Sequence, residues 1–281
     1  MYTRPTAPRS IGGVLDDAIR LYRASFSRVW MLSLSGAVLV GIVAVWQTRE
    51  LAVLPLASLS GGGSSNASLA AMATLMARMS RMEHSPMLWV GYLLMLALWL
   101  LFAATIMRRQ DAVANARADS LGETLVYGLR HLPILIIAGI VFSLVVFVGF
   151  MLLLVPGVWL WGYLQLWLVA AATEDLGPFA ALGRSWKLIE RHWWRTSATV
   201  FVAGIIVLVI GVVSATITSV AAVVFRGDLV MVLAFSQLLS AILNVFTTPM
   251  WTVAMVAIFN DLKLRREGGD LAARVSSLQP A

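Results

Sequence analysis

The sequence predicts an all-α polytopic transmembrane helical bundle with six spans and amphipathic interfacial helices on the cytoplasmic side. Three observations predict it. Of 281 residues, 60% are hydrophobic and 12% are charged, with a mean hydropathy of +0.86; soluble domains carry about 25% charged residues. Six apolar stretches approach or exceed the ~20 residues that cross hydrocarbon as a helix, and none contains Asp, Glu, Lys, Arg or His. The cations between them fall mostly on alternate connections. The same totals exclude intrinsic disorder, and the lack of cysteine excludes disulfide scaffolds, thiolate metal sites and cysteine nucleophiles.

The elements follow in order. Residues 1–28 form a cytoplasmic N-terminus with an amphipathic helix, because Ile11, Leu15, Ala18, Tyr22 and Phe26 recur at three- and four-residue spacing. The six-span membrane domain, 29–259, contains Val29–Trp46, Met87–Met107, Leu132–Val155, Val158–Ala172, Thr196–Phe225 and Leu229–Phe259. An external loop, 47–86, joins the first two spans. The third and fourth form a hairpin at Pro156-Gly157, since proline ends the hydrogen-bond ladder and glycine permits the reversal. That hairpin is open to two readings, a full crossing or a re-entrant loop. Pro249 is the expected kink of the sixth span. Residues 260–281 are a cytoplasmic tail.

Counting Lys and Arg orients the chain. Seventeen of the 21 lie on the side of the termini and four on the other, at Arg49, Arg78, Arg81 and Arg226. The positive-inside rule makes both termini cytoplasmic and the number of crossings even. The expected location is the bacterial inner membrane. No cleavable signal peptide is visible: two prolines fall within the first ten residues and an amphipathic segment follows.

Two further segments repeat the amphipathic device ahead of a span. Leu121, Leu125, Leu129 and Leu132 make one stripe; Phe179, Leu182, Trp186, Ile189 and Trp193 make another, opened by Pro178. Helices of this type lie in the interface with the apolar face down, and Trp186, Trp193 and Trp194 suit the headgroup level. Three units, 11–107, 119–172 and 178–259, therefore read as amphipathic helix plus hairpin.

Candidate functional residues divide into three sets. Arg20, Arg23, Arg184, Lys187, Arg191 and Arg195 are basic residues facing lipid or a partner, at ~1 kcal/mol for each cation that reaches an anionic surface. Gln165, Gln237 and Asn244 are hydrogen-bonding side chains within spans, and they either line a polar route or join helices. Met72, Met76, Met79, Met82 and His84 form a weak Cu(I) candidate, since thioethers are soft ligands; a Met-rich packing stripe is the favoured reading. His84, His131 and His192 fall in separate connections, and Asp16-Asp17, Glu174-Asp175, Asp261, Glu267 and Asp270 read as caps and ion-pair partners. No catalytic residue and no cofactor are expected: no phosphate-binding loop, zinc helix or nucleophile elbow is present in the sequence. Nucleic acid is not an expected partner, because positive-inside topology explains the charge.

Three stretches resemble the membrane domain family of bacterial glycerophosphoryl diester phosphodiesterases: Ile11–Phe26, Leu152–Arg195 and Phe259–Leu271. The resemblance implies a link to phospholipid or glycerophosphodiester handling. In the fused members the activity belongs to a separate soluble barrel. With about 22 residues after the sixth span, this chain is expected to be a stand-alone form without that barrel. The sequence thus points to a non-enzymatic membrane protein of lipid or envelope processes, in contact with anionic lipids or a protein partner. The alternative is a transporter or permease for a small or amphiphilic solute.

Overall fold

A computed structural model describes residues 2–51, 86–226 and 229–278, which are helical with short connections. The helices are α1 (Ile11–Leu51), α2 (Pro86–Ala114), α3 (Leu121–Leu152), α4 (Leu154–Leu164), α5 (Trp167–Glu174), α6 (Pro178–Ile189), α7 (Trp193–Val224) and α8 (Leu229–Leu278). α1, α2, α3, the α4–α5 pair, α7 and α8 are each long and apolar enough to cross a membrane. The chain is an all-α, multi-pass membrane protein. The external loop, with Met72, Met76, Met79, Met82 and His84, lies outside the described residues.

α8 is the hub. It packs most extensively on α1 and also on α7 and α2, and from Val253 to Leu262 every residue is buried. Hydroxyl and amide side chains stitch its middle to its neighbours. Tyr22 donates to the Phe246 carbonyl at 3.3 Å, Ser33 to the Asn244 carbonyl at 3.2 Å and Gln110 to the Pro249 carbonyl at 2.8 Å. Such bonds hold helices together where the surrounding solvent offers no polar alternative. Pro249 stays inside a continuous helix.

The amphipathic segments differ in two ways from the expectation of separate helices lying on the membrane. The first and second run without interruption into their spans as α1 and α3, while only the third, α6, is a helix of its own. Their buried stripes are also displaced. On α1 the enclosed line is Val14, Asp17, Ala18, Leu21 and Ser25, one position before the predicted one. On α3 it is Thr124, Gly128, Leu135 and Ala138, and Leu121 and Leu129 face outward. α6 buries Ala181, Leu182, Ser185, Leu188 and Ile189 against α3, α4 and α5, leaving Phe179 exposed. The physical reason is that small and hydroxylated residues allow close helix approach, whereas a leucine stripe is equally satisfied by lipid. Gly128 shows this directly: a Cβ there would run into Thr105 and Leu101 of α2.

The predicted fourth span, Val158–Ala172, is broken. α4 ends at Leu164, and α5 starts at Trp167. Ser185 of α6 covers the break, accepting from the Leu166 amide at 3.2 Å and donating to the Tyr163 carbonyl at 2.8 Å. Tyr163 also stacks on Trp186 with centroids 4.3 Å apart. One end of this pair lies against the start of α7, where Trp193 Nε1 donates to the Trp159 carbonyl at 3.2 Å. Leu154 is then only about 8 Å along the axis from a residue bonded to the first residue of α7, a helix about 48 Å long.

Candidate functional site

Two adjoining cavities lie inside the bundle. The first, about 300 Å³, opens beside the α4–α5 break and is bounded by Gln165, Trp167, Trp251 and Thr252 among others. The second, about 230 Å³, lies between α1, α2 and α8 and includes Ser33, Gln237 and Ser240. Trp99, Ala103, Asn244 and Thr248 line both. The three polar residues predicted within spans are thus brought to one place by two parts of the chain, the α4–α5 break and α8. Gln165 arrives because the helix breaks next to it; Gln237 and Asn244 arrive because they are seven residues apart on one face of α8.

Their polar atoms are incompletely used. The Gln165 amide has both Oε1 and Nε2 buried with no hydrogen-bond partner. Asn244 Oδ1 accepts weakly from Thr247 at 3.4 Å. A buried, unsatisfied amide costs about 1–3 kcal/mol, so a polar occupant of this cavity would be stabilised by Gln165. Among the described residues, no charged side chain lines either cavity. The chemistry on offer is hydrogen bonding and aromatic contact with an uncharged or amphiphilic molecule. Both volumes fall at or below the lower end of ordinary ligand sites.

At the end of the bundle where α1 begins, a second arrangement gathers seven acids. Asp261, buried on α8, takes the Arg9 amide at 2.8 Å, Arg195 at 3.1 Å and Arg265 at 2.8 Å. Glu174 receives Arg184 through two bonds of 2.7 and 3.0 Å and Lys263 at 2.7 Å. Asp119 faces Arg109 at 2.9 Å and Arg28 at 3.4 Å, and Asp17 faces Arg9 at 3.6 Å. Arg184 also reaches Glu267, and Arg117 reaches Asp111. Arg108 joins Asp175 at 2.7 Å and lies over the Tyr127 ring at 3.5 Å.

Arg184 and Asp175 owe their protonation equilibria to their partners. The Glu174 hydrogen bonds, with that of Glu267, raise the Arg184 pKa despite its partial burial. For Asp175, burial pushes the carboxyl up, but hydrogen bonds from Tyr127 and Arg108 and the nearby positive charge outweigh it and hold it below the usual carboxylate range. Asp175 and Arg184 are both held toward their charged forms.

The basic residues singled out in the sequence divide accordingly. Arg184 and Arg195 are spent on internal ion pairs. Arg20, Arg23, Lys187 and Arg191 are exposed and have no acidic partner among the described residues. His131 contacts the Tyr127 carbonyl at 3.0 Å, and among the described residues no cluster of three or more His, Asp or Glu could hold a metal. Sequence reasoning missed Ser185, Gln110 and Trp99. Ser185 sat on the apparent polar face of an amphipathic helix, Gln110 lay just past a predicted span boundary, and a tryptophan within a span carries no mark of a cavity. Comparison with known protein families, curated proteins and solved structures found no match.

Proposed function

We propose that this chain is a non-enzymatic inner-membrane protein, its termini cytoplasmic, that assists a lipid- or envelope-related process by contacting anionic lipid or a partner through its basic face. The observation that carries the reading is the contrast on that face. Its buried acids are taken up by Arg9, Arg28, Arg184, Arg195, Lys263 and Arg265, while Arg20, Arg23, Lys187 and Arg191 stay exposed without acids. Unneutralised cations beside a bilayer attract anionic headgroups at ~1 kcal/mol each. The resemblance of Ile11–Phe26, Leu152–Arg195 and Phe259–Leu271 to the phosphodiesterase-associated membrane domains supports the same direction.

The test is selective lipid retention by purified protein. Phosphatidylglycerol should be held in preference to phosphatidylcholine, and the triple change Arg20→Gln, Arg23→Gln, Lys187→Gln should reduce it by about fivefold for each cation that contacts lipid. Equal retention of the two lipids, unchanged by the substitutions, would overturn the reading.

One observation favours a second reading, a permease for a small or amphiphilic solute: Gln165, Gln237 and Asn244 line two cavities that share a wall. Asn244 belongs to both, so Asn244→Leu should abolish solute flux into proteoliposomes. Flux absent from the wild type, across neutral and amphiphilic solutes, sinks it.

A further inference from the structure

A third concavity lies on the outside of the bundle, between α4 and the turn that joins α6 to α7. It is about 760 Å³ and changes character along its length. One end is the aliphatic wall of Leu154, Val155 and Val158. The middle is aromatic, with Trp159, Tyr163, Trp193 and Trp194. The other end carries Arg191, His192 and Arg195.

The cationic end is open to a ligand. Arg195 is committed to Asp261 at 3.1 Å, but Arg191 has no acidic partner among the described residues and sits in the left-handed region with φ of 71°. That conformation is uncommon for a bulky residue, and here it places the side chain at the groove. His192 Nδ1 is buried with no hydrogen-bond partner. The apolar end is equally unsatisfied. Met151 to Val155 are five consecutive apolar residues that are 69–77% exposed, a surface that water would penalise at roughly 25 cal/mol per Å².

The hairpin geometry decides what covers that surface. Trp159 is bonded to Trp193 at the start of α7, and Leu154 lies only about 8 Å further along α4. The tip of the α3–α4 hairpin therefore lies close to the start of α7, and in a chain with six helices apolar enough to cross a membrane, acyl chains are the medium at hand for its exposed apolar residues.

We infer that this groove binds an anionic phospholipid, its phosphate against Arg191 and His192 and its acyl chains along Leu154, Val155 and Val158. The inference deepens the proposed lipid contact and rests on it. The order of the lining, aliphatic then aromatic then cationic, matches the order of a phospholipid from chain to interface to headgroup. The tryptophans fit the glycerol level, where an amphipathic ring is favoured.

The experiment is native mass spectrometry of the full chain, purified in detergent and offered phosphatidylglycerol or phosphatidylcholine. The expected result is preferential retention of phosphatidylglycerol, reduced about tenfold by Arg191→Asn. Asparagine tolerates the left-handed backbone, so the change removes charge without refolding the turn. Arg191→Lys should restore most of the retention, and Val158→Trp, which fills the groove and leaves the charges, should lower it again. Wild-type retention in both Arg191→Asn and Val158→Trp overturns the site. So does displacement of the lipid by an equal concentration of inorganic phosphate, which would mark a free-anion site. If changing Arg20, Arg23 and Lys187 removes the lipid and the groove variants do not, the groove falls while the broader lipid reading stands. The chain has no native cysteine, so Leu153→Cys reports the hairpin depth. An impermeant maleimide should fail to label it from either face of intact membranes and succeed in detergent, as acyl chains covering the tip require; labelling from either face of intact membranes overturns that covering.

Discussion

Val253 to Phe259 on α8 and Met151 to Val155 at the α3–α4 turn are both unbroken apolar runs, yet their surroundings are opposite. In the first, no residue is more than 7% exposed; in the second, none is less than 69%. The difference lies in residue size and in what the neighbours offer. The α8 run includes Ala254 and Ala257, with Thr252 and Asn260 beside it, and helices close on it from several sides. The hairpin tip is Met, Leu and Val with no small residue among them. Lipid tails are as apolar as leucine, so hydrophobicity does not drive one of these runs inward. Close approach and polar stitching do. α5 repeats the lesson, with Ala170, Ala171 and Ala172 all enclosed.

The largest effect that would sharpen this contrast comes from removing side chains in the two runs. Phe259→Ala should cost about 3–5 kcal/mol, because a fully enclosed ring leaves a cavity. Leu153→Ala should stay within about 0.5 kcal/mol, as for other surface changes. Thermal unfolding of the detergent-solubilised protein measures both, and equal losses would break the comparison. A smaller effect is expected at the α4–α5 break. Ser185→Ala leaves the Leu166 amide and the Tyr163 carbonyl without the partner they share, at about 1–3 kcal/mol. Stability equal to wild type would show that the break does not need the serine.

The smallest expected effect is electrostatic. Asp175 has its pKa held down in the folded chain by Tyr127 and Arg108, which outweigh its burial. A carboxyl that is a stronger acid when folded contributes stability in full above the unfolded value, and loses it as pH falls through the folded one. Melting temperature should therefore decline on acidification from about pH 5 to pH 3, and Asp175→Asn should remove part of that decline. The part is small, because the side chain is 56% exposed and solvent screens the pair. A decline as steep in Asp175→Asn as in the wild type removes Asp175 from the account.

Much of this arrangement was legible before any fold was known. The helical class and the positions of the long apolar helices follow from uninterrupted runs without charge, which nothing but a membrane or a buried core accommodates. Gln165, Gln237 and Asn244 were identified because amides are conspicuous in such runs, and they prove to share a pair of cavities. The faces of the amphipathic segments were less legible. On α3 the leucine stripe is the obvious one, but Thr124 and Gly128 make the contact, since a periodicity in hydropathy does not distinguish a lipid-facing side from a protein-facing one. The division of the cations into spent and free was not legible at all. Arg184 and Lys187 lie three residues apart on the same helix, and only the position of Glu174 separates their roles.

By itself, then, the order of residues determined how many helices could live in hydrocarbon and which ends of them carry charge, because both depend on transfer free energies that each segment holds locally. Tertiary structure alone decided that the α4–α5 helix breaks over Ser185, that two cavities meet at Trp99 and Asn244, and that a groove grades from leucine to arginine. Those outcomes depend on distances between residues far apart in the chain, which are set by how closely small side chains allow helices to approach.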